Sequence, residues 1–594
     1  MPWYLNLQQY INIEKTPLWG CFSIFEVGFI AVAFFLVASW LIPLHLLPWV
    51  SWHSEVMAFF ASLLLGWVAL IRCLRFGSTR VIKLPLFALP FIFLALLAII
   101  QWVFGIITFA GDAMLLLLYM GLCVVCLTLG SELSSQKPSL AIDSGAISQG
   151  SRALTFLAFS LTFGAFISAI LAFAQVFELY EMSGWINVMP QLRRPGGNLG
   201  QPNQLATLLL IGIASLLFLY ELGKVNALTS ILVFLVMGVA LALTESRTGV
   251  LSFLILSCWW FGKKKCVGFR VSAWIVVSAI VGFIMFFWLW PMIFAFLAQS
   301  FGEPGINSKI GLRLIVWPQL LDAVLQRPWF GWGLGEVAKA HNSVAHAYQI
   351  SEPFSYSHNV LIDLALGAGL PIALLFTCIF GSWLWLRIKS ANHLGSWYCL
   401  AVALPFFVHS MLEFPFAYAY FLVPVMFALG ILEGRLEYNS PINIGFPSAA
   451  ALLFCLSTLA MWSLVEYVAI EEDFRIARFE VLRVGKTQDN YRRPHVVLLT
   501  QLSALLDGTR ISPQPNMSAD DLEVVKKIAL RYPWTATQNR YALSMALNGN
   551  PVEAVRQLRV MRAMHGEQTY AVIRASWRNL ALEKYPQLRE FTVP

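Results

Sequence analysis

The sequence predicts an all-α polytopic membrane protein with about 13 transmembrane helices and a soluble, helical C-terminal domain. Three observations carry that reading. First, 58% of the 594 residues are hydrophobic, only 12% are charged and mean hydropathy is +0.70, whereas soluble domains are roughly 25% charged. Second, apolar runs repeatedly reach the roughly 20 residues that cross a hydrocarbon core. Unbroken runs mean helices, because in lipid the backbone must satisfy itself and barrel strands would alternate. Third, charge density rises sharply beyond about residue 470.

Windowed hydropathy places the spans near 18–42, 54–74, 84–107, 113–130, 153–177, 203–221, 228–244, 248–261, 270–298, 359–387, 396–412, 416–434 and 446–468. The first run is long and lacks a small-residue cleavage site, so no cleavable signal peptide is expected. Under this count the basic loops Arg72–Lys83, Gly262–Arg270 and Arg387–Ser390 fall on one side with the N-terminus, and the positive-inside rule makes that side cytoplasmic. The net charge of +8 is therefore mostly a topology signal, with no nucleic-acid partner implied. Among nine cysteines, Cys123 and Cys126 have a Cys-x-x-Cys spacing. They lie inside an apolar run with no second pair or histidine cluster nearby, which reads as buried thiols.

The implied organisation is a transmembrane domain over 1–469, including the long loop 299–357, and a soluble helical domain over 470–594. In the latter, Asp521–Pro533 and Asn550–Gly566 have helical periodicity. Tyr541–Leu558 reads as a helix-turn-helix of the tetratricopeptide type. Such arrays need about three units to be stable, so a generic helical domain and a partner-docking solenoid both fit.

The unusual polar segments all fall on the outer face: Glu178–Pro202, Thr244–Gly249, Gln299–Ser357 and His409–Tyr420. His358 closes the long loop, and histidine is the side chain that exchanges a proton near neutral pH. Asn359 follows it, and Asp363 shares a face with Asn359 at i,i+4. A carboxylate inside a membrane segment is disfavoured by about 2.5–3.5 kcal/mol and marks a site or a buried partner. In Glu245–Gly249, Arg247 offers a permanently charged, planar fork of donors suited to phosphate; the plainer reading is a local Glu245–Arg247 pair. Arg313 and Trp317 share one face of an amphipathic stretch with apolar Leu312, Ile315, Val316 and Leu320. Such a helix can lie in the interface plane, with Arg313 as a second phosphate contact and Lys309 or Arg327 nearby.

Gly and Pro deny regular structure to Pro195–Pro202. Gln201, Asn203 and Gln204 then stand at a helix N-terminus, where free N–H groups favour an anion. Arg193 and Arg194 add positive charge. The segments together suggest an outer-face pocket of arginines, amides and one histidine. No metal-ligand cluster, Asp-x-Asp or phosphate loop appears, so no metal or other cofactor is expected. Transfer from a lipid diphosphate suits this set: arginines hold the developing negative charge and a histidine deprotonates a hydroxyl nucleophile.

The segments "GNLGQPNQLATLL", "ESRTGVL", "GLRLIVWPQ", "GWGLGE", "SHNVLIDLALGAGLP" and "HSMLEFPFAYAYF" resemble the O-antigen ligase and polymerase superfamily (Wzy_C). Within it they are similar to the PglL-type bacterial O-oligosaccharyltransferases that glycosylate pilins. The likeness runs from about the fifth span to the end. It implies a GT-C-like helical fold in the bacterial inner membrane, with the site and the C-terminal domain facing the periplasm. It also implies en bloc transfer of a glycan from an undecaprenyl diphosphate carrier to a Ser or Thr hydroxyl of a protein such as a pilin. On that resemblance His358 falls on the essential loop histidine, Arg247 and Arg313 on the diphosphate-facing arginines, Gln201 in the Gly-Gln motif, and Tyr418 or Tyr420 on the tyrosine of the "EFP…Y" segment. Glu413 and His409 lie close enough in sequence to support a neighbour. Ligation of O-antigen to lipid A core, polymerisation of a glycan and transport of the lipid-linked glycan are the competing readings. The clustering of polar motifs at one face argues against transport, whose charges line a path near the midplane.

Overall fold

A computed structural model describes residues 24–75, 81–135, 149–179, 184–189, 194–298, 313–435, 442–589 and 591. The chain is helical nearly throughout. It begins with α1 (Ile24–Leu41), α2 (Trp52–Arg75), α3 (Leu89–Val103), α4 (Ala110–Ser135), α5 (Gln149–Val176), α6 (Pro202–Glu221), α7 (Ala227–Leu243), α8 (Arg247–Val267) and α9 (Ala273–Ala298). Next come three short helices, α10 (Arg313–Gln326), α11 (Val337–Ala345) and α12 (Val360–Ala368). The bundle is completed by α13 (Leu370–Ser390), α14 (Leu394–Ser410), α15 (Ala419–Gly434) and α16 (Phe446–Leu482). A C-terminal domain follows, with α17 (Thr500–Arg510), α18 (Ala519–Arg531), α19 (Thr535–Leu547) and α20 (Pro551–Glu583).

Among the described residues, eight helices are long and apolar enough to cross a membrane, and Val27–Leu41, Ala227–Leu243, Leu394–Ser410 and Ala419–Gly434 are shorter apolar helices among them. The chain is thus an all-α, multi-pass membrane protein. One expected span, 359–387, is two helices. Gly369 between α12 and α13 adopts φ 85° and ψ 163°, and a Cβ there would collide with the carbonyl of Trp329. Pro371 then sits in the first turn of α13, where its missing N–H is no loss.

The centre of the bundle is α6, 83% buried along its span, whereas α9 and α13 are only 11% buried and face outward. Against this core α4 and α15 approach backbone to backbone, because any side chain at Gly130, Gly430 or Gly434 would strike the opposite helix; small residues allow such contact between membrane helices. At the end carrying the basic loops, β1 (Val81–Leu84) and β2 (Ile442–Gly445) pair antiparallel, Val81 with Gly445. At the other end α10, α11 and α12 build a small core of their own from Val316, Leu320, Val324, Trp332, Val344 and Phe354.

The expected domain boundary at 469/470 lies within α16, one unbroken helix of 37 residues. At 1.5 Å per residue it is about 55 Å long, well beyond a hydrocarbon core of about 30 Å, so it carries the chain out of the bundle. Where it leaves, the Glu466 carboxylate accepts hydrogen bonds from the N–H groups of Val497, Leu498 and Leu499. The C-terminal domain also grips the bundle through Arg531, whose Nε and Nη2 each lie 2.9 Å from the Asp112 carboxylate. The expected helix-turn-helix over 541–558 is formed by α19 and α20, with Asn550 capping α20 through the N–H of Glu553. Cys123 and Cys126 are free and buried within α4.

Candidate active site

The site forms where α10–α12 meet the first turn of α6 and the α14–α15 turn. Asn359 caps α12, its Oδ1 accepting from the N–H of Leu361 and Ile362, as residues of this type do at helix starts. This forces a sharp corner one residue earlier, and His358 takes it with φ +61°. A non-glycine residue is held there only when its surroundings over-determine it, and such outliers gather at functional sites. Three contacts hold this corner. Asp363 Oδ1 accepts from the N–H of Ser357 at 2.7 Å, the indole N–H of Trp317 donates to Ser357 O at 2.8 Å, and Asn359 Nδ2 donates to Met411 O at 3.1 Å.

The imidazole so placed meets Glu413, a residue of the α14–α15 turn that is 5% exposed. Glu413 Oε2 lies 2.5 Å from His358 Nδ1. Its other oxygen accepts from Asn203 Nδ2 at 2.9 Å and from Nη2 of Arg313, one turn before Trp317 on α10. Burial pushes the Glu413 carboxyl up, but the hydrogen bond and charge of His358, with the charges of Arg313 and His409, outweigh that and hold it below the ordinary carboxylate value. One ionised carboxylate therefore collects a histidine, an arginine and an amide from three separate stretches of chain.

Asn203 extends the cluster. Its Oδ1 accepts from Ser246 Oγ at 2.7 Å, and the same Ser246 oxygen caps α8 through the N–H of Gly249 at 2.9 Å. Arg247, the first residue of α8, is thereby placed beside the cluster with its side chain exposed. Arg313, bonded to that carboxylate, and the exposed Arg247 thus supply two guanidiniums at this end of the bundle, donors of the kind that suit a phosphate group.

The remaining sequence candidates divide by what they touch. His409 is buried, with Nδ1 2.8 Å from Thr207 Oγ1. Tyr420 is buried and donates to Gln204 Oε1 at 2.9 Å, whereas Tyr418 is half-buried and stacks between Phe414 and Tyr420. Gln201 caps α6 through the N–H of Gln204. Arg194 reaches the Thr244 carbonyl through Nε at 2.9 Å, tying its loop to the α7–α8 turn. Arg193 and Lys309 lie outside the described residues. Of the polar run at 194–204, Asn203 is the residue bonded to the Glu413 cluster; Asn198 instead binds Leu41 O and Trp185 O through its side chain, and Gln201 and Gln204 bond as just given.

Several supporting residues escaped sequence reasoning. Ser246 carried a usable signal, a serine directly before an apolar helix. Glu55 carried another, a lone carboxylate in an apolar span; its Oε2 accepts from Tyr119 Oη at 3.0 Å and from the N–H of Ala419 at 2.6 Å, which anchors α15 beside Tyr418. Gln175 carried none. It fixes the glycine loop by accepting from the N–H of Gly196 and Gly197.

Chemically, a carboxylate on Nδ1 fixes the histidine tautomer: Nδ1 carries the proton and Nε2 keeps a lone pair. That is the arrangement of a general base oriented by an acid, with a cationic fork one hydrogen bond away. A multi-pass helical protein with such a centre at one end of its bundle has the groups for base-assisted transfer to a hydroxyl. Comparison with known proteins narrows this. Residues 232–377 match the O-antigen ligase family, 397–580 the C-terminal region of virulence factor membrane-bound polymerases, and 195–220 the protein glycosylation ligases. A general O-oligosaccharyltransferase of Acinetobacter baylyi is 25% identical over 542 residues, covering 89% of this chain and 90% of its own length. The ComP-specific O-oligosaccharyltransferase of the same organism is 30% identical over 378 residues, 59% of this chain and 64% of its own length. The matches agree in what the chain is similar to, the O-antigen ligases and, among them, the protein O-oligosaccharyltransferases, and on that likeness it is a glycosyltransferase.

Proposed function

We propose that the protein moves a glycan en bloc from an undecaprenyl diphosphate carrier to a Ser or Thr hydroxyl of an acceptor protein such as a type IV pilin, at the periplasmic face of the bacterial inner membrane. The observation that carries the proposal is the bonded cluster of His358, Glu413 and Arg313. The acceptor O–H gives its proton to His358 Nε2 as its oxygen bonds to the anomeric carbon. The bond from that carbon to the phosphate oxygen breaks, and its electron pair leaves with the lipid diphosphate. Arg313 and Arg247 stabilise that leaving charge, Asn203 orients a donor oxygen, and Glu413 stabilises the imidazolium until its proton passes to water. Neither the chemistry nor the residues present require a metal or other cofactor. The placing of the C-terminal domain against the long loop, where the N–H of Ser351 donates to Ala563 O at 2.8 Å, favours a protein acceptor over a lipid or glycan one.

The test is glycosylation of a candidate pilin co-expressed with a lipid-linked glycan pathway, read by gel shift and intact mass at matched membrane expression. Wild type is expected to transfer the glycan and His358→Ala to fail. Equal transfer by both removes His358 from the mechanism, and transfer by neither points to lipid A core as acceptor, the O-antigen ligase reading.

A further inference from the structure

A helix in water shows one apolar face, yet α10 shows two. Val316, Leu320, Ala323 and Val324 are buried in the core it shares with α11 and α12. On its other side Leu314, Pro318, Leu321 and Leu325, spaced four, three and four residues apart, are all exposed, with Leu314 and Leu325 each at 67%. The chain continues directly into Trp329 and Phe330, 70% and 78% exposed. An apolar stripe of this length on a soluble loop marks a surface that something covers.

Its neighbours identify the cover. The turn that bears Trp329 and Phe330 rests on the head of α13: the N–H of Leu370 donates to Pro328 O at 2.7 Å, and glycine at 331 and 369 permits the close backbone approach. From that point α13 presents Leu374 and Leu375 outward along a span that the bundle leaves largely uncovered. On the other flank Gln101 of α3 donates to Gly367 O at 2.8 Å, which brings the exposed Trp102, Val103 and Phe104 alongside. Trp102 and Phe104 thus stand at the end of α3, and Trp329 and Phe330 at the head of α13, two helices exposed along their spans and joined there through Gln101, as do the aromatic residues of the interfacial belt of membrane proteins. The α10 stripe is continuous with that belt. Polar groups lie off the stripe: Asp322 accepts from Tyr348 Oη, and the Arg327 guanidinium folds over the Trp332 ring at 4.1 Å.

We propose that α10 is an interfacial helix whose Leu314–Pro318–Leu321–Leu325 face, with Trp329 and Phe330, is seated in the lipid leaflet on the site's side of the membrane. Arg313, the first residue of the same helix, is then held at the level of the headgroups. On the function proposed above, that is where the diphosphate of a lipid carrier lies. The seating itself does not depend on that function.

The full-length protein in nanodiscs of phosphatidylethanolamine and phosphatidylglycerol tests it. A p-benzoylphenylalanine replaces Leu321 or Leu325 in turn, with the exposed Asp520 of α18 as control, and the illuminated protein is analysed by intact mass. Lipid adducts at both stripe positions and none at 520 are expected. Absence of lipid adducts at 321 and 325 overturns the proposal, as does a cross-link from either to a second copy of the chain. Glycan transfer, measured separately on unmodified protein, bears on the reaction alone, so the two readings fail independently.

Discussion

Glu413 Oε2 lies 2.5 Å from Nδ1 of His358, while the other oxygen of the same carboxylate holds Asn203 and Arg313. Imidazole, amide and guanidinium therefore share one anchor, and the turn between α14 and α15 decides where all three stand. Removing the charge of that anchor is expected to disturb the base before it disturbs the fold.

Glu413→Gln keeps the shape of the side chain but no longer fixes the histidine tautomer or stabilises the imidazolium. Positioned acid–base groups contribute roughly 10²- to 10⁴-fold, so kcat at saturating donor should fall by about 100-fold or more, with a smaller change in the KM for acceptor. An unchanged kcat would mean that the His358–Glu413 pair plays no part in the reaction.

Arg313 is expected to act on the donor. A hydrogen bond to a charged group is worth about 1.5–3 kcal/mol, so Arg313→Ala should weaken the donor's transition-state binding by roughly 10- to 150-fold in kcat/KM. Arg313→Lys should recover little, because an ammonium cannot present a planar fork. Full rescue by lysine would reduce the residue to a point charge. Arg247→Ala and the double variant, assayed alongside, report whether the two guanidiniums act on the same group, since coupled residues are non-additive.

Acid should loosen the loop unit through His341. This side chain is buried between α10 and α11, with Nε2 2.8 Å from Ser351 Oγ and 3.1 Å from Gln319 Oε1. Burial pushes its pKa from 6.5 down to about 4. The unfolded chain takes up the proton near the higher value and the folded chain only near the lower. The stability His341 contributes is thus intact above pH 6.5 and lost as pH falls to about 4, by up to about 3 kcal/mol. Thermal midpoints in detergent across that window should fall more steeply for wild type than for His341→Asn; parallel curves would refute this. Glu413 adds nothing to that loss, since its lowered pKa keeps it ionised to more acid conditions than an ordinary carboxylate.

The docking of the C-terminal domain should depend on Arg531. Truncating one partner of a buried ion pair leaves the other charge unsatisfied, at roughly 3–5 kcal/mol. Arg531→Met alone should expose the 483–499 connection to protease, whereas the double variant with Asp112→Asn should restore much of the protection. Equal protection in wild type and Arg531→Met would show that the Glu466 contacts to Val497–Leu499 suffice.

Much of the architecture was legible in order along the chain because its physics is local. Twenty apolar residues in lipid can hardly be anything but a helix, and lysines and arginines in short loops orient the chain whatever they pack against. Gly, Pro and the capping residues Gln201, Ser246 and Asn359 punctuate the helices by their own backbone preferences. The candidates that the structure joins were legible too: His358, Arg313 and Asn203 stand out by residue type within the polar segments, and Glu413 by its place in the "EFP" segment. The break at Gly369 was not, since a glycine in an apolar run reads as tolerated until its φ is known. Nor was the division of labour within the polar segments. Only packing brings the α14–α15 turn against α6 and α10, so only tertiary structure could show that Glu413 is the shared anchor, that Asn203 joins it, and that Arg194, Gln201, His409 and Tyr420 are held by structural hydrogen bonds. A hydrogen bond needs its two partners within about 3 Å, and residues 413, 358, 313 and 203 lie up to 210 positions apart in the chain. Sequence determines which groups this protein has and that they gather at one end of its helices; the fold decides which of them touch.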